Sequence, residues 1–184
     1  MPTNALANPL VLPLLGLIAE QPRHAYALFS ELRSRYSYIN VRNSTVYTLL
    51  GTLVEAGWLS SESSDTDRQT FRLTPAGRQA LAEKVEHELH EGALGDRTAF
   101  MTALAYLGIL GPVEAALALR RRVERIHQEE ERVACALDGA EHVPELHMIE
   151  THYYRDQLNH ERSWLTETIR RIDSKSLAWP GREG

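Results

Sequence analysis

The segment 42–48 is rich in side chains that can form hydrogen bonds with nucleic acid. It contains Arg42, Asn43, Ser44, Thr45, Tyr47 and Thr48. When the first turns of a helix enter the major groove of duplex DNA, such side chains contact base edges, while arginines and hydroxyls hold phosphates. We expect Arg42, Thr45 and Thr48 to contact DNA in this way.

The remaining residues of this segment have structural alternatives. Asn43 and Ser44 are equally good candidates for capping the N-terminus of a helix, because their side chains accept hydrogen bonds from backbone N–H groups. Tyr47 either reaches DNA or packs its ring on the core. Further along the chain, Arg68 and Arg72 are candidates for contacts with DNA phosphates.

The elements that must position these residues follow from the apolar spacing and the turn signals. Helices are predicted over residues 9–20, 24–36, 43–56 and 74–90, and two strands over 58–62 and 68–73. Gly57 is expected to end the third helix in a left-handed conformation, and Thr74-Pro75 to begin the fourth. Three helices, a two-stranded ribbon and a closing helix in this order predict a winged helix-turn-helix domain over residues 1–91.

The second half, residues 92–184, is predicted to be helical throughout and to pair two chains. Its apolar residues follow a heptad pattern typical of helices that pack on a partner surface. We expect the dimerisation residues to be Leu119, Val123, Ile126, Leu158, Leu165, Ile169 and Ile172. The run Arg120–Arg122 is expected to pair with the acids at 129–131 on a partner helix, or to face water.

Composition excludes several classes of function. The 184 residues carry a net charge of −5, so any contact with DNA must be local. The single cysteine, Cys135, excludes an internal disulfide or a multi-cysteine metal site and favours a cytoplasmic protein. The apolar run at 10–18 is too short to cross a membrane and is predicted to be a buried core helix.

Catalytic and metal chemistry have little support in the sequence. There is no Gly-x-Ser-x-Gly motif and no phosphate-binding glycine loop, so we expect neither an enzyme nor a cofactor. His87 and His90 lie three residues apart beside Glu91, but solvated surface histidines explain them better than a metal site.

Several segments, taken together and in order, resemble the PadR family of bacterial transcriptional regulators. These are 14–20, 22–28, 44–47, 53–59 and 73–78. The second half is similar to that of the longer PadR subtype, in which C-terminal helices pair two chains. Family members usually have glycine where this chain has Ala25 and Ser44, and proline at Thr48. Their wing, the strand hairpin, is often basic, whereas the tip here is Asp65-Thr66-Asp67.

The resemblance implies further roles. Tyr26 and Tyr47 would reach the DNA backbone through their hydroxyl groups. A small aromatic or lipophilic effector would release the protein from DNA, and Tyr154 and Trp164 are candidates for binding it. The sequence thus predicts a homodimeric, ligand-responsive repressor that binds a palindromic operator in double-stranded DNA. The alternative is a helical adaptor that uses its winged helix to bind a protein partner.

Overall fold

The computed structural model describes residues 5–36, 39–63, 69–140 and 142–180. In this part of the chain there are seven α-helices and three short strands. The helices are α1 (Val11–Glu20), α2 (Ala25–Arg35), α3 (Asn43–Glu55), α4 (Pro75–His90), α5 (Arg97–Ala105), α6 (Pro112–Asp138) and α7 (Ile149–Asp173). The strands are β1 (Arg23–His24), β2 (Leu59–Ser63) and β3 (Gln69–Leu73). Short 3-10 turns lie at Ala5–Ala7, Leu107–Ile109 and Glu145–Met148.

Helix α1 lies at the centre of the core. Every residue from Val11 to Ile18 is buried, as expected of a helix that has no polar face. It packs against α2, α4, α5 and β3. The predicted core helix is therefore confirmed. Among the described residues, no helix is long and apolar enough to cross a membrane.

The wing consists of β2 and β3, which pair in antiparallel fashion with Ser61 opposite Phe71. This two-stranded ribbon was predicted. The structure adds β1, whose Arg23 also pairs with Phe71, to give a sheet with the order β1-β3-β2. Residue 24 was expected in a helix, but His24 is extended and α2 begins at Ala25. Strand β1 thus ties the start of α2 to the wing.

The Thr74 side chain fixes the turn between α3 and the wing to the start of α4. Gly57 has a φ of 73°, in the left-handed region that favours glycine. The Thr74 hydroxyl accepts a hydrogen bond from the Gly77 N–H and donates one to the Gly57 carbonyl at 2.7 Å. The predicted C-cap glycine and the predicted capping threonine are therefore bonded to each other.

Helices α6 and α7 pack along each other as a hairpin, and the predicted dimerisation residues lie inside it. Leu119, Ile126, Leu158, Leu165, Ile169 and Ile172 are buried within the single chain, and Val123 is half-buried. The heptad pattern identified two apolar stripes correctly, but each stripe covers the other helix or the rest of the same chain. Their burial within one chain leaves little of these side chains for a second chain, and their role in dimerisation stays a prediction.

The charged runs of α6 also pair within the chain. Arg120 donates to Asp173 of α7 at 2.6 Å, and Glu130 pairs with Arg162 of α7 at 2.8 Å. Arg122 is buried. The expected exposure to water is therefore wrong for Arg122. Arg120 is half exposed, as expected, and it pairs with an acid of its own chain.

The two halves of the chain meet at a buried pair of tyrosines. The Tyr36 hydroxyl, at the end of α2, donates to the Tyr106 hydroxyl, after α5, at 2.7 Å. Burial and this hydrogen bond raise the pKa of Tyr106 far above its ordinary range, so the hydroxyl stays protonated. The Tyr106 ring lies against Gly16 of α1, where an added Cβ would come within 2.2 Å of the ring.

We expect Gly16→Ala to lower the free energy of unfolding by about 1–3 kcal/mol, because its methyl group would overlap the Tyr106 ring. Urea unfolding measures the change. Gly51→Ala is the matched control, since an added Cβ there meets nothing within 4 Å and should raise the stability of α3 by about 0.5–1 kcal/mol. Equal stability of Gly16→Ala and the wild type would contradict the close contact.

Candidate nucleic-acid interface

Helix α3 is seated in the winged helix by one apolar face. Val46, Leu49, Leu50 and Leu53 are buried, and the helix packs against α2, β2 and the turn at Ala5–Ala7. These spacings of three and four residues place the apolar side chains on one side of the helix. The opposite side is therefore held facing solvent by a packed core.

The exposed side of α3 carries the residues that were predicted to meet DNA. Asn43, Ser44, Tyr47 and Thr48 are exposed, and Thr45 is half-buried beside them. Arg42 occupies the N-cap position, which has no side-chain capping bond. Capping is therefore the wrong explanation for Asn43 and Ser44, which lie in the first turn of the helix itself.

The tyrosines assigned to the DNA backbone are also exposed. Tyr47 is 53% exposed and Tyr26, in the first turn of α2, is 67% exposed. Packing of the Tyr47 ring on the core is therefore the wrong alternative. An exposed tyrosine at a helix start presents its hydroxyl as both donor and acceptor, which suits a phosphate oxygen.

The Thr48 hydroxyl can only accept a hydrogen bond from a partner, because its proton is already donated within the helix. Its Oγ1 donates to the Ser44 carbonyl at 3.0 Å, a bond that threonines often make inside helices. What remains for a partner is an oxygen lone pair and a methyl group. In the major groove these match an amino group of cytosine or adenine and the methyl group of thymine.

Acidic neighbours neutralise much of the positive charge near this interface. Arg35 pairs with Glu20 at 2.6 Å and with Glu31 at 2.7 Å, and Arg23 pairs with the same two acids at longer distances. Within the described residues, Arg42 takes part in no ion pair. Because Arg42 also adjoins the exposed side of α3, its guanidinium is suited to meeting a phosphate there.

The wing carries an ion pair that the sequence analysis missed. The Arg72 guanidinium donates to the Glu62 carboxylate at 3.2 Å, and both side chains are largely exposed. Glu62 lies opposite Thr70, and Ser60 lies opposite Arg72, so the two are diagonal neighbours on one face of the ribbon. Strand register was the signal that could have revealed the pair. Arg68 and the acidic tip lie outside the described residues.

A second candidate site is a cleft of about 330 Å³ between α5 and α7. Its apolar lining is Phe100, Met101, Leu104 and Trp164, and its polar lining is Arg97, Gln157, His160 and Glu161. Of the two predicted effector residues, Trp164 lines this cleft. Tyr154 does not line it, and its hydroxyl lies near the Glu129 carboxylate of α6. Partial burial and the Glu129 charge raise the pKa of Tyr154.

The histidines form no metal centre in the part of the chain that the structure describes. No group of three His, Cys, Asp or Glu side chains there could hold a metal ion. His90 lies 3.3 Å from its neighbour Glu91, and His87 is exposed.

The exposed side of α3, the paired wing and the capped α4 make up the segment that matches a known family. Residues 14–83 match the family described as transcriptional regulator PadR-like. The chain carries a PadR-like domain. Proteins of this family are transcriptional regulators and not enzymes, so the chain is a transcriptional regulator. A comparison with curated proteins gives no match.

Several solved structures are similar to this PadR-like chain at low identity. A transcriptional regulator from Clostridium thermocellum is 20% identical with a TM-score of 0.42, over 47% of this chain and 86% of that one. Bacillus subtilis PadR in complex with operator DNA is 16% identical with a TM-score of 0.40, over 89% and 98%. Bacillus subtilis PadR in complex with p-coumaric acid is 15% identical with a TM-score of 0.42, over 94% and 99%. At these scores the similarities add no argument about function.

We expect Glu62→Gln to tighten binding to duplex DNA of any sequence by about twofold to fivefold, the scale of one exposed ion pair. The change frees Arg72 for a phosphate, so the dependence of affinity on salt should become steeper. Fluorescence anisotropy at several salt concentrations measures both quantities.

Glu86→Gln is the control for net charge, because Glu86 is exposed on α4 and the change in charge is identical. Arg72→Gln should weaken binding, and the double variant Glu62→Gln/Arg72→Gln should show no gain. A gain in the Glu86 variant equal to that of Glu62→Gln would show that Arg72 is not responsible.

Proposed function

We propose that this PadR-like regulator is a homodimer that binds a palindromic operator in double-stranded DNA and acts as a ligand-responsive repressor. Each chain would place α3 in a major groove, with Tyr26, Tyr47 and Arg42 on the backbone. The two-fold axis of the dimer would match half-sites about 34–36 Å apart, one helical turn, or a multiple of that distance.

The exposed side of α3 is the observation that carries this proposal. It combines base-reading groups, at Asn43, Ser44 and Thr48, with backbone contacts at Tyr47 on a helix that is fixed from behind by four buried apolar residues. A rigid helix that exposes amide and hydroxyl groups is suited to reading base edges. A helix face that only contacts water would not need this combination of amide, hydroxyl and tyrosine side chains.

Exposed apolar side chains on α7 favour a different dimer surface from the one expected from the heptads. Ile149, Tyr153 and Trp164 are each about half exposed or more, and spacings of four and eleven residues place them on one side of the helix. Met101 of α5 is exposed beside Trp164 in the cleft. A strip of this kind is typical of an interface with a second chain. We propose that it pairs two copies of this chain.

The cleft at Trp164 is the proposed effector site. Its aromatic and aliphatic walls suit a small aromatic or lipophilic compound, and a few polar groups are available to orient it. Because Trp164 also belongs to the proposed dimer surface, a bound compound would favour one arrangement of the dimer over another. The compound can change DNA binding only if it binds one arrangement of the dimer more tightly than the other.

Selection from a random duplex library at near-physiological salt tests the DNA-binding proposal. We expect an enriched palindrome that binds two chains per duplex, with the stoichiometry measured by sedimentation. Thr48→Val should change the base preference at one position of each half-site, because the oxygen lone pair is lost.

Thr52→Val is the matched control for this selection. Thr52 makes the same bond to the helix, with its Oγ1 donating to the Thr48 carbonyl at 3.1 Å, one turn further from the helix start. It should keep the wild-type preference. If the folded chain enriches no DNA sequence but binds a protein partner, these results would support the adaptor alternative instead.

Titration with phenolic acids and hydrophobic cations tests the effector site. A compound that binds the cleft should change tryptophan fluorescence and release the protein from the selected operator over the same concentration range. Trp164→Phe should lose most of the fluorescence response. An unchanged fluorescence response in that variant would show that the compound does not bind in the cleft.

A further inference from the structure

The Arg122 guanidinium is buried where three helices meet, with 1% of its side chain exposed. Buried arginines are rare unless their donors are satisfied. Here Nε donates to the Glu161 carboxylate of α7 at 2.6 Å. The guanidinium carbon lies 3.8 Å from the centre of the Phe100 ring of α5. One side chain on α6 therefore contacts both α5 and α7.

Arg122 also contacts Gly92, two residues beyond the end of α4, together with a second arginine one turn further along α6. Its Nη1 donates to the Gly92 carbonyl at 3.4 Å. Arg125 Nη1 donates to the same carbonyl at 3.0 Å and to the carbonyl of His90. The last carbonyls of a helix carry its negative dipole end, which cations stabilise. Arg125 thus pairs with a carbonyl of the last turn of α4, and both arginines hold Gly92, just after that helix, against α6.

The backbone at this junction is tightly wound. An added Cβ at Gly92 would lie 2.3 Å from the Glu88 carbonyl oxygen, so any larger residue would push the chain outwards. Helix α4 begins next to the wing and packs on α1 as well as on α6. The direction of α4 at Gly92 therefore sets how the winged helix is oriented relative to the α6–α7 hairpin.

We infer that Arg122 is a positioning residue that fixes the angle between the winged helix and the α6–α7 hairpin, and through it the half-site spacing that the dimer accepts. Phe100 and Glu161, the two side chains that Arg122 contacts in these observations, also line the cleft at Trp164. An occupant of the cleft would therefore act on α4 through Arg122. This inference rests on the proposed function, because spacing has a meaning only for a dimer on an operator.

The planar guanidinium is what this role requires. It donates in two directions within one plane while its face lies on the Phe100 ring, whereas a lysine ammonium is a compact point charge that cannot do both. Arg122→Lys keeps the charge and the approximate length but removes this geometry. Arg120→Lys is the matched control, because Arg120 lies on the same helix and pairs only with Asp173 among the described residues.

The first experiment measures affinity for operators whose half-sites are moved apart or together by one to several base pairs. The wild type and Arg120→Lys should prefer one spacing. In Arg122→Lys the ratio of the best to the next spacing should fall by about fivefold or more, a typical coupling between sites. Affinity for random duplex should not change, because the DNA contacts are intact. An unchanged ratio in folded Arg122→Lys would overturn the inference.

The second experiment needs no DNA and separates this inference from the proposed function. Spin labels are attached at Glu55→Cys and Glu131→Cys in a Cys135→Ser chain, which is diluted into unlabelled chain. The distance distribution should be narrow in the wild type and in Arg120→Lys, and broader or displaced in Arg122→Lys and in Arg125→Met. If no operator is enriched, the proposed function fails, and these distances still decide whether Arg122 fixes the angle. Identical distributions would overturn that role.

Discussion

Helix α1 is apolar around its whole circumference, so it is stable only where other elements cover it on every side. That requirement accounts for the arrangement of the first half, in which α2, α4 and β3 each contact α1. It also draws the second half inwards, since α5 contacts α1 and the Tyr106 ring lies against Gly16. The winged helix and the helical region therefore share one continuous core. Packed side chains therefore connect the second half of the chain to the elements that hold α3.

Local rules explain what the sequence could predict. Gly57 and Thr74-Pro75 mark helix ends by chemistry that depends only on the nearest turn, and the structure has a helix boundary at each of them. The apolar stripes of α3, α6 and α7 were equally readable from their spacing. The spacing predicts that a helix face is buried, but it does not predict which element or chain covers that face. Leu119 and Ile126 were therefore assigned to a second chain although the same chain covers them.

The candidate site shows the same division. The identity of the residues on the exposed side of α3 follows from the helical period, but the roles of its polar groups depend on where the helix begins. A start at Asn43 rather than one or two residues later turned two proposed caps into exposed side chains. Ionic partners were the least predictable part. Glu62 reaches Arg72 through strand register, and Glu161 reaches Arg122 through the packing of two long helices.

The α6–α7 hairpin and the core around α1 differ in how far apart along the chain their contacting residues lie. The hairpin joins neighbouring helices, so little chain entropy is lost when it closes. Helix α1 is covered by α4 and α5, which follow it only after the whole wing. During synthesis, α1 is therefore made before most of the elements that bury it. The most apolar helix leaves the ribosome early and stays partly exposed until α5 has been made, and apolar surface exposed during synthesis is open to aggregation or chaperone binding.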